Sequence, residues 1–304
     1  MFNRFVSSFL FLAAVNTGIA QAQVVPDGTL PTVVEQLENM RKITGGERVG
    51  DNLFHSFEEF SIPEGIEAIF ENGLDIENIF TRITGNDISV IDGLLKTAGG
   101  ANFFLINPNG IVFGENAQLD VGGSFIATTA NRIEFADGTN FIARGDEPKV
   151  TLTISVPIGL RLDGDNGSIT VNGSGEQITR QEGFTGNPYL RNRTSGLSVP
   201  SGETLALVGK GIDFNGGAIV TEGGSIELGS VDLGRVRIDE NIDRGGWTLA
   251  YEEITAFENI NFARNALIDS SIGDSSSIEV FGKDIIFTDN SILIIQNNET
   301  TGDG

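Results

Sequence analysis

Residues 111–125 read IVFGENAQLDVGGSF and residues 212–226 read IDFNGGAIVTEGGSI. Ile and Phe stand two apart in both (Ile111 and Phe113, Ile212 and Phe214), an Ala follows four residues later (Ala117, Ala218), and Gly-Gly-Ser closes each phrase (Gly122-Gly123-Ser124, Gly223-Gly224-Ser225). The phrase returns as Ile260-Asn261-Phe262 with Ala266, Leu267 and Ile268, then as Ile285-Ile286-Phe287 with Ser291 to Ile294, and in a weaker form as Ile133-Glu134-Phe135 with Thr139. Its starts lie 22 residues apart (111 to 133), 48 apart (212 to 260) and 25 apart (260 to 285). A unit of 20–25 residues, with 48 counted as two units, is the turn length of a parallel β-helix.

The physics of one unit explains the repetition. In I-x-F the outer two side chains point to one face and the middle one to the other, so a single circuit of chain offers a few apolar groups it cannot bury alone. Stacking circuits about 4.8 Å apart places Ile on Ile and Phe on Phe and pairs the backbone with neighbours above and below. A β-sandwich would also have short strands but does not require one phrase kept in register. The expected fold class is therefore all-β, a parallel solenoid. Further strands are expected at Phe103–Ile106, Ser124–Thr129, Val150–Val156, Ser168–Val171 and Thr204–Val208, separated by Gly, Asn and Asp turns. Residues 24–100 are irregular: Val33–Ile43 and Ile62–Ile83 fit a short helix or a strand pair equally. Trp247 and Tyr251 interrupt the register between two circuits.

Composition fits a dry stacked interior. The 304 residues hold 40 Gly, suited to tight corners, and 21 Phe against 2 Tyr and 1 Trp, an aromatic set with no polar tips to satisfy. A formal charge of -23 repels phosphate backbones and excludes nucleic acid as a partner. With no Cys and one His, disulfides, thiol catalysis and sites needing two imidazoles are excluded, and His55 reads as a packed residue. The N-terminus reads as a secretory signal peptide over residues 1–22: Arg4, an apolar stretch, and Ala20-Gln21-Ala22 as the cleavage signal, which makes Gln23 the first mature residue. No later run is long and apolar enough for a transmembrane span.

Residues 101–130 read ANFFLINPNGIVFGENAQLDVGGSFIATTA, with the turn Asn107-Pro108-Asn109-Gly110 set between FFLI and IVFG. Together with Asn52–Phe60 (NLFHSFEEF), Thr204–Gly209 (TLALVG) and Gly223–Gly229 (GGSIELG), this resembles the N-terminal secretion domain of filamentous haemagglutinin-like exoproteins of two-partner secretion. The resemblance spans roughly residues 25–250. It implies a right-handed, single-stranded parallel β-helix with an N-terminal cap. Its implied partner is a dedicated outer-membrane transporter, whose periplasmic POTRA domains capture the first circuits before they are fully folded. Carried over by position, Asn107, Pro108, Asn109 and Gly110 match the family's NPNG motif, and Asn52, Phe54, Phe57 and Phe60 match its earlier segment. The chain departs from the best-known haemagglutinins in reading HSFEEFSI there and in lacking a second NPN tripeptide, NPNL.

The resemblance implies a secreted or cell-surface, non-enzymatic protein, exported through Sec and the outer membrane of a Gram-negative-type cell. The full-length protein would be an adhesin or haemagglutinin that meets a host or neighbouring cell. The expected organisation is a signal peptide (1–22), a secretion domain (23–245) and the first further circuits of a stalk (246–304) that stops before its next inward strand. Absent disulfides suit a chain that crosses a pore extended. The alternative is a β-helical polysaccharide-binding or lyase-like protein, by fold analogy alone. Asp163-Gly164-Asp165-Asn166-Gly167 lacks the alternating ligands of a calcium loop and reads as a turn. No catalytic residue, metal site or cofactor is expected.

Overall fold

The computed structural model describes residues 23–145, 152–180, 189–191, 196–241, 246–271 and 276–296. The leader with Ala20 and Ala22 and residues 297–304 lie outside them. No helix occurs among the described residues, and so none that could cross a membrane.

Seven strands stack in parallel as the first face of a β-helix: Asn52–Phe60, Asn78–Ile83, Asn102–Ile106, Phe125–Thr128, Thr204–Gly209, the start of Ser225–Glu240, and Ser277–Phe281. Each begins one circuit, numbered 1 to 7. The second face stacks Ser89–Ile91, Ile111–Phe113, Ile169–Asn172, Ile212–Asn215, Ile260–Ala263 and Ile285–Phe287. Here Ile111, Ile169, Ile212, Ile260 and Ile285 are register partners, as are Phe113, Val171, Phe214, Phe262 and Phe287. The repeated phrase is thus the second face, and its Phe rings do stack: Phe214 on Phe262 at 4.9 Å and Phe262 on Phe287 at 4.4 Å. Its middle residues Val112, Asp213 and Asn261 are only half-buried, as the alternation requires. The third face comes in two pieces, Met40–Gly45 to Gln118–Asp120 and Ala218–Val220 to Ile292–Ile294.

Several expectations need correction. The 48 residues from 212 to 260 are one circuit, not two, because Ser225–Glu240 runs on past the first face into an antiparallel layer with Trp247–Ala250 and Ile254–Phe257. Ile133-Glu134-Phe135 is no copy of the phrase: Arg132–Phe135 is antiparallel to both Asn140–Ile142 and Pro157–Asp163 in that same layer. No strand occupies the described residues 152–156; it starts at Pro157. Trp247 and Tyr251 do fall in the segment that interrupts the repeat, as part of this layer, with both side chains buried under it. In the N-terminal stretch the undecided Val33–Ile43 is a strand pair, Thr32–Gln36 antiparallel to Met40–Gly45, and Ile62–Ile83 holds Glu67–Phe70 and the start of circuit 2. Ile178–Arg180 and Tyr189–Arg191 form an antiparallel hairpin, with Ile178 and Tyr189 packed near Ala218, Leu267 and Ile294.

The added layer creates a second core. Along the first face, Leu53, Ile79, Phe103, Phe125, Leu205 and Ile226 point into the helix, while Phe54, Phe80, Phe104, Ile126 and Ala206 point outward under the layer. Phe54 stacks on Phe80 at 5.1 Å and Phe80 on Phe104 at 4.7 Å, with Phe141 edge-on to Phe54 at 5.1 Å and Trp247 edge-on to Phe104 at 5.6 Å. The N-terminal end is closed by a cap, residues 24–49, in which Val24–Pro26 and Glu47–Val49 run antiparallel to the strand of circuit 1 and Thr32–Gln36 pairs with Met40–Gly45. Arg82, fully buried, donates from Nε to Ser56 Oγ (2.8 Å), from Nη1 to the Ile142 carbonyl (2.9 Å) and from Nη2 to Thr29 Oγ1 (3.1 Å), and lies 4.6 Å above the Phe141 ring. Burial draws its guanidinium down to about 10. Asp27 of the cap accepts from Ser56 Oγ and Thr84 Oγ1 at 2.6 and 2.7 Å. Cap, first face and added layer therefore meet at one arginine.

Phe54→Ala should cost about 3–5 kcal/mol, the usual range for a buried Phe truncation, whereas the 43% exposed Phe287 should cost far less as Ala. Urea unfolding midpoints of the two variants provide the comparison.

Candidate functional site

The eight residues singled out by the sequence fall at two places on circuits 1 and 3. Asn107–Gly110 is the corner between first and second face, and its local chemistry builds the turn. The Asn109 amide donates to Asn107 Oδ1 at 3.0 Å, the side chain mimicking a backbone turn, and the Gly110 amide donates to the Asn107 carbonyl at 3.2 Å. Gly110 has φ +131°, a region that only glycine occupies without strain. The side chains then reach down to circuit 2: Asn107 Nδ2 donates to the Asp87 carbonyl and to Ser89 Oγ (both 3.0 Å), and Asn109 Nδ2 to the Gly85 carbonyl (2.8 Å). Upward, the Pro108 carbonyl accepts the Gly167 amide of circuit 4 at 2.8 Å. Arg144, from the segment after the Asn140–Ile142 strand, caps the corner by bonding Asn109 Oδ1 and the Asp165 carbonyl. Asn107, Pro108 and Gly110 are buried and Asn109 half-buried.

Asn52 opens circuit 1 and starts a ladder. Asn78 Nδ2 donates to Asn52 Oδ1 and Asn102 Nδ2 to Asn78 Oδ1, each at 3.0 Å, and Asn102 Oδ1 accepts the Ser124 amide at 2.9 Å. Ser124 Oγ accepts the Thr204 amide at 2.9 Å, and Thr204 Oγ1 exchanges hydrogen bonds with the backbone of Trp247 at 2.8 Å. Below, Asn52 Nδ2 donates to the carbonyls of Thr153 and Ser155 at 3.0 Å. Asn78 and Asn102 were not singled out from sequence, although the starts Asn-Leu-Phe, Asn-Ile-Phe and Asn-Phe-Phe at 52, 78 and 102 carry the signal. Phe57 and Phe60 face the inner core, 5.1 Å apart, and Phe54 the outer one. The structure thus brings Phe57 and Phe60 together but keeps Asn107–Gly110 apart as a separate corner.

His55, between them, is 1% exposed, with Nδ1 3.2 Å from Thr32 Oγ1 of the cap and its ring edge-on to Phe70 at 5.2 Å. Burial pulls its imidazole down to about 4. At Asp163–Gly167 the side chain of Asn166 is used locally, accepting the Asp163 amide and donating to the Thr129 carbonyl and Asn131 Oδ1.

Asn107→Ala removes four side-chain hydrogen bonds worth about 1 kcal/mol each, so a loss of about 3–4 kcal/mol is expected, read from urea midpoints. The unfolded His55 takes a proton near 6.5 and the folded one only near 4. Stability is therefore complete above about pH 6.5 and falls by up to about 3 kcal/mol as pH drops toward 4. A His55→Gln variant followed through the same pH series should lack that loss.

These arrangements sit within a chain similar to known proteins. Among solved structures, the HMW1 secretion domain from Haemophilus influenzae is similar, with 19% identity over 90% of this chain and 68% of that one, at a TM-score of 0.49. No curated protein matches the sequence. The model of the TPS secretion domain matches residues 22–280, most of the chain. The chain accordingly belongs to the TPS secretion domain family, the domain that targets exoproteins for two-partner secretion.

Proposed function

We propose that this domain is read by its transporter before it folds: periplasmic POTRA domains capture Asn52, Phe54, Phe57, Phe60 and the Asn107–Gly110 turn in an extended or partly folded chain. One observation carries the reading. Seven of these eight residues are buried in the folded β-helix and Asn109 is half-buried, so a receptor that used them could reach them only ahead of circuit stacking. Once outside, the same residues become the first closed circuits and nucleate the rest. Each added circuit then buries apolar surface at about 25 cal/mol/Å² and favours outward movement of the chain.

In this scheme residues 1–22 are a Sec leader cut between Ala22 and Gln23, and the secretion domain runs past residue 245 to take in the Trp247–Ala250 and Ile254–Phe257 strands of its outer layer, with the circuits beyond it opening a stalk. The domain is a non-catalytic address. The longer protein it exports is an adhesin or haemagglutinin that reaches the cell surface and meets a host or neighbouring cell.

The test has two arms. Purified POTRA domains titrated with urea-unfolded and with folded protein should bind the former at least tenfold more tightly; equal affinity for both would sink capture before folding. In cells carrying the cognate transporter, Phe214→Asp, which places a charge in the stacked inner column far from the capture segment, should reduce protein in the medium severalfold. Secretion at the normal rate would remove folding as a driving force while leaving capture intact.

A further inference from the structure

The outward-facing row of the first face begins with three Phe rings and ends, in circuits 6 and 7, with two carboxyls. Glu227 and Glu279 are register partners on adjacent parallel strands, so their side chains emerge one rung apart on the same side of the sheet. Glu227 is 1% exposed, and its Oε2 has no hydrogen-bond partner. Over it lies the end of the added layer. The Tyr251 ring fills the space left by Gly229, where a Cβ would lie 2.4 Å from the phenol oxygen, and stacks on Phe281 of circuit 7 at 4.2 Å. Its hydroxyl is also buried without a partner. Among the described residues no cation approaches: the Thr204–Gly209 strand presents Ala206 and Val208, Trp247–Ala250 presents Trp247 and Leu249, and Ile254–Phe257 carries no ionisable residue. Among the described residues, the titratable groups facing Glu227 are the exposed Glu279 carboxylate and the buried Tyr251 phenol.

We propose that Glu227 and Glu279 form a proton-operated latch between circuits 6 and 7. The latch is closed while Glu227 is neutral, and it opens when Glu227 ionises, lifting the Trp247–Tyr251 segment and releasing the Ser277–Phe281 strand. An ionised Glu227 would hold a charge in an apolar layer beside a second carboxylate, with no donor for one of its oxygens. Burial first, and Glu279 second, push its carboxyl up to about 8 from an ordinary 4.5, against a lowering hydrogen bond from the Leu249 backbone. Burial with both carboxylates pushes the Tyr251 phenol up as well. The folded state therefore retains a proton that the open state releases. Closure is complete below about pH 4.5, weakens as pH rises, and reaches its minimum above about 8. The window is opposite in sign to that of His55, which sits at the other end of the stack.

Because His55 also moves global stability, the readout is local: amide hydrogen exchange at 247–250 and 277–281 in the full chain, from pH 5 to 8.5, corrected for the intrinsic exchange rate. The opening equilibrium should rise by about tenfold per pH unit through the window, and Glu227→Gln should make it flat. PH-independent protection in the native protein, or the same slope in Glu227→Gln, would overturn the latch. If Glu227→Gln does not fold, Glu279→Gln supplies the check. Removing the second carboxylate should shift the opening to lower apparent pKa with the slope kept, and an unshifted profile would show that the two groups are not a pair.

Discussion

The first face of this β-helix is apolar on both sides, and the rest of the domain follows from that. A solenoid sheet ordinarily turns one side to the core and the other to water. Here Leu53, Ile79 and Phe103 fill the inside while Phe54, Phe80 and Phe104 fill the outside, so a second layer is obligatory. The chain supplies it from two excursions, with strands at 132–142 and 157–163 between the first and second faces of circuit 4, and at 231–240, 247–250 and 254–257 at the same point of circuit 6. Pro157–Asp163 of the first excursion pairs with Ser225–Glu240 of the second, so the outer core depends on pairings distant in sequence.

Stacking in register treats neutral and charged groups very differently. An Asn repeated at 52, 78 and 102 becomes a ladder, because each carboxamide both donates and accepts, and every rung satisfies its neighbour. A carboxylate repeated at 227 and 279 can only accept, and two in register repel. The same geometry that makes circuits 1 to 3 secure makes the joint between circuits 6 and 7 conditional on a proton. Arg82 is the third case: a buried cation held by hydrogen bonds to Ser56, Ile142 and Thr29 and by a ring face, joining the cap to the outer layer.

The buried position of the motif residues reconciles a folding role with an address. A corner such as Asn107–Gly110, which bonds down to circuit 2 and up to circuit 4, is a structural necessity of the folded domain. Two functions can share those residues if they are used at different times. The absence of cysteine is consistent with this order, since no crosslink holds any part of the chain in its final shape early.

What could be read from the amino-acid sequence was whatever a single circuit repeats. Ile111, Ile212, Ile260 and Ile285 could be aligned because each occupies the same place in the stack, and the structure pairs them; the turn chemistry of Asn107-Pro108-Asn109-Gly110 is likewise local. The excursions occur once each, so nothing in the pattern set them apart: Ile133-Glu134-Phe135 passed for a weak copy, and the 48 residues from Ile212 passed for two circuits. Trp247 and Tyr251 show in the sequence only as a break in the register, and Arg82 and Glu227 have no distinguishing neighbours along the chain. Their roles exist only where strands more than twenty residues apart come together, because burial, pairing and the cost of a charge are properties of the assembled layer.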